Sequence, residues 1–144
     1  MAEKIVVGFD GSGSARRALD FAADQARAIG ATLVIAHILE WSPYSFLTPT
    51  ELEERHKRRN DELERAETAL ISPVAKTLRD SGVSVETELK YGHIAETLCK
   101  VAATHQAVQI VIGRTGHSNM AARLFGSVAG TLAQVAPAPV TIVP

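Results

Sequence analysis

Two glycine-containing segments near the C-terminus have the residue types and spacing of an anion-binding loop. The β-branched run Ile110–Ile112 leads directly into Gly113, and Gly116 follows. Nine residues then precede the Gly126–Val128 segment, which includes Ser127 at the predicted start of a helix. Glycine lets backbone amides approach a ligand closely, and a helix N-terminus presents unpaired N–H groups at a positive dipole end. The spacing therefore predicts a phosphate site built from main-chain donors.

The same glycines also fit an architectural role, in which they end a strand and Ser127 caps a helix. The segment is not a Walker sequence, because it contains no Gly-Lys-Ser/Thr and no lysine follows Lys100. The dinucleotide fingerprint is absent from the first loop, where Arg16 stands in place of the third glycine. Phosphate charge would thus be met by amides, by a metal or by side chains of the segment, namely Arg114, His117 and Arg123.

Asp10 is the second candidate ligand-binding residue, because it directly follows the first predicted strand. An aspartate there can bond a ribose hydroxyl, reach an adenine amine or hold Mg²⁺ through water. It can equally stabilise a turn, as aspartates commonly do. No other residue looks placed to activate water, and the histidines lack metal-ligand spacing, so no catalytic residue is predicted.

Composition indicates one soluble domain spanning residues 1–144. The chain is 46% hydrophobic and 22% charged, with a net charge of −1. The lack of a strong field and the 5% aromatic content argue against a nucleic-acid partner. No apolar run approaches 18 residues, so no membrane association is expected and a cytosolic location is the simplest inference.

Hydrophobic periodicity places these residues on an alternating strand and helix pattern. This β-α-β-α-β-α-β-α-β order predicts a Rossmann-like α/β fold with an open parallel sheet and helices on both faces. Ligands of such sheets bind beyond the carboxyl ends of the strands, here the loops after Phe9, Ile38 and Ile112. The predicted strands are Lys4–Phe9, Thr32–Leu39, Val83–Leu89, Gln109–Ile112 and Val140–Val143.

A highly charged helix is predicted from Thr50 to Ser81, with acidic residues placed four positions before basic ones along its exposed face. Pro73 lies within this span and predicts a kink or a restart, with Ser72 as the cap of the second part. Gly82 ends the helix.

The chain resembles the universal stress protein family, and its ATP-binding subgroup, over essentially its whole length. The resemblance is carried by the opening Ile5–Ser12 segment, by Ala36–Ile38 and by the closing strand Pro139–Val143. It is carried most specifically by the pattern Gly113-X2-Gly116-X9-Gly126-Ser127.

The resemblance implies a five-stranded parallel sheet in the order 3-2-1-4-5. It implies that Asp10 contacts a bound ATP, ADP or AMP and that the backbone of Ile38 contacts adenine. It also implies a homodimer joined through the edge strand Val140–Val143, which an exposed β-branched edge favours physically. The implied nucleotide-binding residues are Gly8, Asp10, Ile38, Gly113, Arg114, Gly116, His117, Asn119, Gly126, Ser127 and Val128.

Three functions fit these residues. The leading hypothesis is a cytosolic ATP-binding regulator, a dimer whose conformation or partner depends on bound nucleotide. The second is a slow Mg²⁺-dependent ATPase or phosphotransferase that uses Asp10, with His117 as a second candidate group. The third is a ligand-free interaction module in which the glycine loop is architectural.

Overall fold

Five parallel strands form one sheet in the order β3-β2-β1-β4-β5, so the predicted fold class and strand order are confirmed. The computed structural model describes residues 2–40, 48–115 and 126–144. The elements are β1 (Lys4–Gly8), α1 (Gly13–Ile29), β2 (Thr32–Glu40), α2 (Pro49–Ala66), α3 (Ser72–Asp80), β3 (Val85–Gly92), α4 (Ile94–Thr104), β4 (Gln109–Gly113), α5 (Gly126–Val135) and β5 (Val140–Val143).

Two hydrophobic clusters, one on each face of the sheet, form the core. Successive strand residues point to opposite faces, so Ile5 and Val7 join the cluster under α1 and α3, whereas Val6 joins the cluster under α4 and α5. The central strands are therefore covered on both sides. This is why their sequences are continuous apolar runs rather than alternating ones.

Helix α1 begins and ends at the residues that its sequence favours. The Ser12 hydroxyl accepts a hydrogen bond from the Ala15 N–H at 3.2 Å, and Gly30 ends the helix with φ +69°. The buried stripe of α1 consists largely of alanines, which let the helix axis lie close to the sheet. This close approach determines where the first turn of α1 meets the ends of the strands.

The restart predicted at Pro73 is present, but the predicted cap is wrong. Ser72 has helical angles, φ −58° and ψ −44°, and no side chain caps the start of α3. The chain passes from α2 to α3 through a π-helical segment, Glu67–Ile71. A π turn changes the local hydrogen-bond pattern, which accommodates a proline that has no N–H to donate. As predicted, α2 is exposed: none of its residues is buried.

The two edges of the sheet differ in charge. Edge strand β3 carries Glu86, Glu88 and Lys90 at alternate positions, and a charged edge resists pairing with other chains. Lys4 Nζ lies 2.7 Å from the Glu86 carboxylate and lowers the pKa of that group, and His105 Nε2 lies 2.9 Å from Glu88. Edge strand β5 has no charged residue. Among the described residues, no helix has the length and apolar character needed to span a membrane.

Leu132 tests the contribution of the α5 layer, because its side chain is completely buried in the second cluster. We expect Leu132→Ala to lower the free energy of unfolding by about 2–5 kcal/mol through lost burial and the cavity left behind. Val135→Ala, at a 61% exposed position of the same helix, should change it by less than about 0.5 kcal/mol. Urea denaturation measures both. Equal losses would contradict the assigned packing of α5.

Candidate functional site

The residues predicted to bind a ligand come together at the carboxyl edge of the sheet. Strands β1 and β4 are neighbours, with Val7 paired to Val111, so their ends lie side by side. Gly8 fits closely between them: a Cβ at this position would lie 3.3 Å from Ile112 Cγ2 and 3.4 Å from Leu98 Cδ1. The absence of a side chain at Gly8 therefore maintains the close approach of β1, β4 and α4.

Asp10 stabilises the turn between β1 and α1. Its Oδ1 accepts a hydrogen bond from the Ser12 N–H at 2.9 Å, which places Ser12 to cap the helix. The turn role considered for Asp10 is thus confirmed. The carboxylate is half-buried at the carboxyl end of β1, the position from which an acid reaches a ligand in an open α/β sheet.

The end of β2 is fixed to the end of β1 by His37. His37 is 8% exposed, and its Nδ1 donates to the Phe9 carbonyl at 2.7 Å. The Phe9 N–H in turn donates to the Ala36 carbonyl at 2.9 Å. These bonds hold the backbone of Ile38 beside the Asp10 turn, where the family resemblance implies contact with an adenine ring.

Gly113 ends β4 directly against the first turn of α1. A Cβ there would lie 2.5 Å from Ser14 Oγ, 2.7 Å from the Ser14 carbonyl carbon and 2.9 Å from the Ala15 nitrogen. Two of these atoms are backbone, so the helix could not move aside without shifting as a unit. The architectural interpretation of the glycines is therefore correct for Gly113, and it does not exclude a ligand at the same edge.

The remaining predicted residues divide into two groups. Helix α5 begins at Gly126, so Gly126, Ser127 and Val128 form its first turn, as the sequence predicts. The N–H groups of a first helical turn have no partner within the helix and are available to an anion. Arg114 directly follows β4 and is exposed. The predicted residues Gly116, His117 and Asn119, and also Arg123, lie outside the described residues.

Metal binding by protein side chains alone has little support in the described ranges, where no three His, Cys, Asp or Glu side chains converge on one point. A divalent ion at this edge would need oxygen ligands from a bound phosphate in addition to Asp10, the arrangement that Mg²⁺ favours.

Sequence reasoning missed two groups near this edge. Ser14 is 3% exposed, and its hydroxyl contacts both the loop after β4 and the end of β5. Its position on the buried stripe of α1, one turn before Ala18, was the signal in the sequence that could have identified it.

The second group lies at the end of β3, where the Tyr91 hydroxyl donates to Glu62 and the Arg59 guanidinium lies 5.3 Å from the centre of the Tyr91 ring. Burial, followed by the bond to Glu62, raises the pKa of Tyr91 to about 12.

The fold and the site together define a Rossmann-like α/β domain whose polar and glycine residues gather at the carboxyl edge of a parallel sheet. The model of the universal stress protein family matches residues 1–144. The chain belongs to the universal stress protein family.

The alignments with similar proteins cover 99% of this chain. A universal stress protein of Thermus aquaticus, from the QAH/OAS sulfhydrylase 3′ region, is 35% identical over 144 residues, which are 99% of each chain. The solved structure of universal stress protein UspA from Lactobacillus plantarum superposes with a TM-score of 0.85 at 26% identity, covering 99% of this chain and 97% of the other.

Two solved relatives contain nucleotides. A universal stress protein in complex with cAMP is 28% identical, with a TM-score of 0.63, and the match covers 99% of this chain and 96% of the other. The universal stress protein from Archaeoglobus fulgidus in complex with dAMP is 25% identical, with a TM-score of 0.66, and the match covers 99% and 98% of the two chains.

Gly113→Ala tests the contact between β4 and α1. We expect it to lower the free energy of unfolding by about 1–3 kcal/mol, since the new carbon overlaps backbone atoms of Ser14 and Ala15. The matched control is Gly130→Ala in α5, where a Cβ would meet nothing within 4 Å. Helix propensity predicts a gain of about 0.5–1 kcal/mol there. Thermal or urea unfolding distinguishes the two, and a neutral Gly113→Ala would refute the close approach.

Proposed function

We propose that this chain is a cytosolic adenine-nucleotide-binding protein, with ATP as its leading ligand, that acts as a dimeric regulator rather than as an enzyme. The observation that carries the proposal is the meeting of Asp10, the Ile38 backbone and Gly113 at one sheet edge. The relatives that hold cAMP and dAMP support the adenine nucleotide as the ligand class.

Main-chain donors would provide most of the phosphate recognition. The N–H groups of Gly126, Ser127 and Val128 open α5, and hydrogen bonds to a charged group contribute about 1.5–3 kcal/mol each. Three or four such bonds total about 4.5–12 kcal/mol before entropic costs, so contacts to the adenine and ribose must also contribute to the roughly 8 kcal/mol of micromolar binding. We also propose that the loop residues Gly116, His117 and Asn119 contact the ribose and phosphates, with Arg114 adding positive charge.

Asp10 fits a binding role better than a catalytic one. Its Oδ1 already accepts the Ser12 N–H, so the carboxylate contributes to the turn that starts α1. An ionised carboxylate accepts hydrogen bonds, which suits contact with a ribose hydroxyl or with metal-bound water. We propose that Asp10 contacts the ribose and, through water, any Mg²⁺ that accompanies the phosphates.

The proposed homodimer forms through β5. The Pro139 carbonyl accepts the Ile110 N–H of β4 at 2.8 Å. The carbonyl and N–H of one trans peptide point in opposite directions, so the Val140 N–H points away from β4. Within the described residues no strand pairs with the outer edge of β5, which is uncharged, and a second copy can pair with it across a two-fold axis.

The nucleotide proposal predicts that denatured, purified protein releases an adenine nucleotide, detected by mass spectrometry. Calorimetry of stripped protein with ATP, AMP and cAMP should give a dissociation constant on the order of micromolar for at least one of them. Gly126→Val should weaken binding at least about tenfold, because a β-branched side chain obstructs the amides of α5. Gly130→Val, the same change one turn later, should retain affinity.

A folded Gly126→Val protein with unchanged affinity would refute the assigned site. If the wild-type protein releases no nucleotide and gives no binding heat in calorimetry, the ligand-free interaction module is favoured. Phosphate release from ATP much faster than about one per minute, lost in Asp10→Asn, would favour the slow hydrolase, although it lies below typical enzyme turnover. The asparagine keeps an acceptor for the Ser12 N–H, so this variant separates catalysis from the stability of the turn.

The dimer proposal predicts that the chain sediments at twice its 15.4 kDa mass. Val140→Pro should shift the protein to monomer, because proline removes the outward N–H of β5. Val140→Ala loses the same side chain but keeps the N–H, and it should remain dimeric. Dimerisation of both variants, or of neither, would show that the outer edge of β5 is not the contact.

A further inference from the structure

Ser14 connects three parts of the molecule through one hydroxyl. It donates to the Val143 carbonyl of β5 at 3.2 Å and accepts the Thr115 N–H at 3.3 Å. The side chain lies in the first turn of α1, four residues after Asp10, and is 3% exposed. The end of β5, the start of the loop after β4 and the Asp10 turn therefore meet at this residue.

Other contacts make this junction stiff. The Val143 carbonyl also accepts the Arg114 N–H at 2.7 Å, so it receives two hydrogen bonds. The backbone of Gly113 packs against Ser14 and Ala15 without room for a side chain. Packed backbone segments move together rather than independently, so a displacement at Thr115 is transmitted to Val143.

We infer that Ser14 is a positioning residue that couples occupation of the nucleotide site to pairing at the β5 edge. This inference rests on the proposed function, and it adds the route by which the ligand regulates assembly. A nucleotide that contacts the backbone at Arg114 and Thr115 holds the Thr115 N–H on the Ser14 hydroxyl. The hydroxyl then holds the Val143 carbonyl, and with it the last residue of the strand that pairs with the second copy.

Linkage makes this coupling reciprocal. If nucleotide tightens the dimer by a given factor, then dimerisation tightens nucleotide binding by the same factor. Coupling of this kind is typically about 5–150-fold. A residue with a purely structural role would change the stability of the fold, whereas a coupling residue changes this factor.

The test measures the dimer dissociation constant by sedimentation, without ligand and with saturating ATP, and with AMP in a parallel series. Wild-type protein should show at least about a fivefold tightening. Ser14→Ala should bring the factor close to one while nucleotide binding and dimerisation each remain measurable. The matched control is Ser81→Ala, which removes a hydroxyl that donates to the Leu78 carbonyl at 2.8 Å, at the end of α3.

Hydrogen exchange of the wild-type protein gives a second measurement that needs no variant. Nucleotide should slow exchange of the Val143 amide and leave the amide of Glu86, on the opposite edge strand, unchanged. An unchanged Val143 amide in a protein that binds nucleotide would overturn the inference, even if Ser14→Ala fails to fold.

The outcomes separate the two proposals. If the wild-type protein binds nucleotide and dimerises, but shows no coupling or keeps it in Ser14→Ala, the inference is wrong and the proposed function stands. If the wild-type protein binds no nucleotide or remains monomeric, the proposed function fails and the inference fails with it.

Discussion

The arrangement of the site depends on one steric constraint, the direct packing of Gly113 against the first turn of α1. Its backbone lies so close that any side chain would overlap the Ser14 and Ala15 backbone. This contact sets the distance between the Asp10 turn, from which α1 starts, and the end of β4. It also places the Ser14 hydroxyl between Thr115 and Val143. The alanine stripe of α1 makes this contact possible, because small residues let the helix lie close to the sheet.

The two edge strands of the sheet differ in how strongly they resist pairing with another chain. Strand β3 presents Glu86 and Glu88 at alternate positions, paired with Lys4 and His105, and charged edges resist pairing. Strand β5 is uncharged and short, and its outer N–H groups lack such protection. The asymmetry gives a physical reason to expect self-association at β5 and not at β3. It also places the expected interface next to the loop that we propose as the nucleotide site.

The parts of the structure that follow from residue type and periodicity could be predicted from the sequence. The buried runs Ile5–Val7 and Ile110–Ile112 identified the central strands, and Gly126 marked the start of α5. Ser72 was misassigned because a serine before Pro73 is the usual start of a helix, whereas a π-helical segment also accommodates the proline. The junction at Ser14 was not predictable, because its two hydrogen-bond partners are far away in the sequence. Thr115 lies 101 positions after Ser14, and Val143 lies 129 positions after it.

Recognition by main-chain donors has a consequence for how such a site persists through sequence change. Every residue except proline carries an N–H, so side chains in the loop can vary while the donors remain. What cannot vary freely is Gly113, where a Cβ would meet backbone atoms of Ser14 and Ala15, whereas a Cβ at Gly8 would press only on side chains. The chain shares only 26% of its residues with the UspA structure that it superposes on over 99% of its length. A site that depends on backbone geometry would be retained for the same reason as the fold itself.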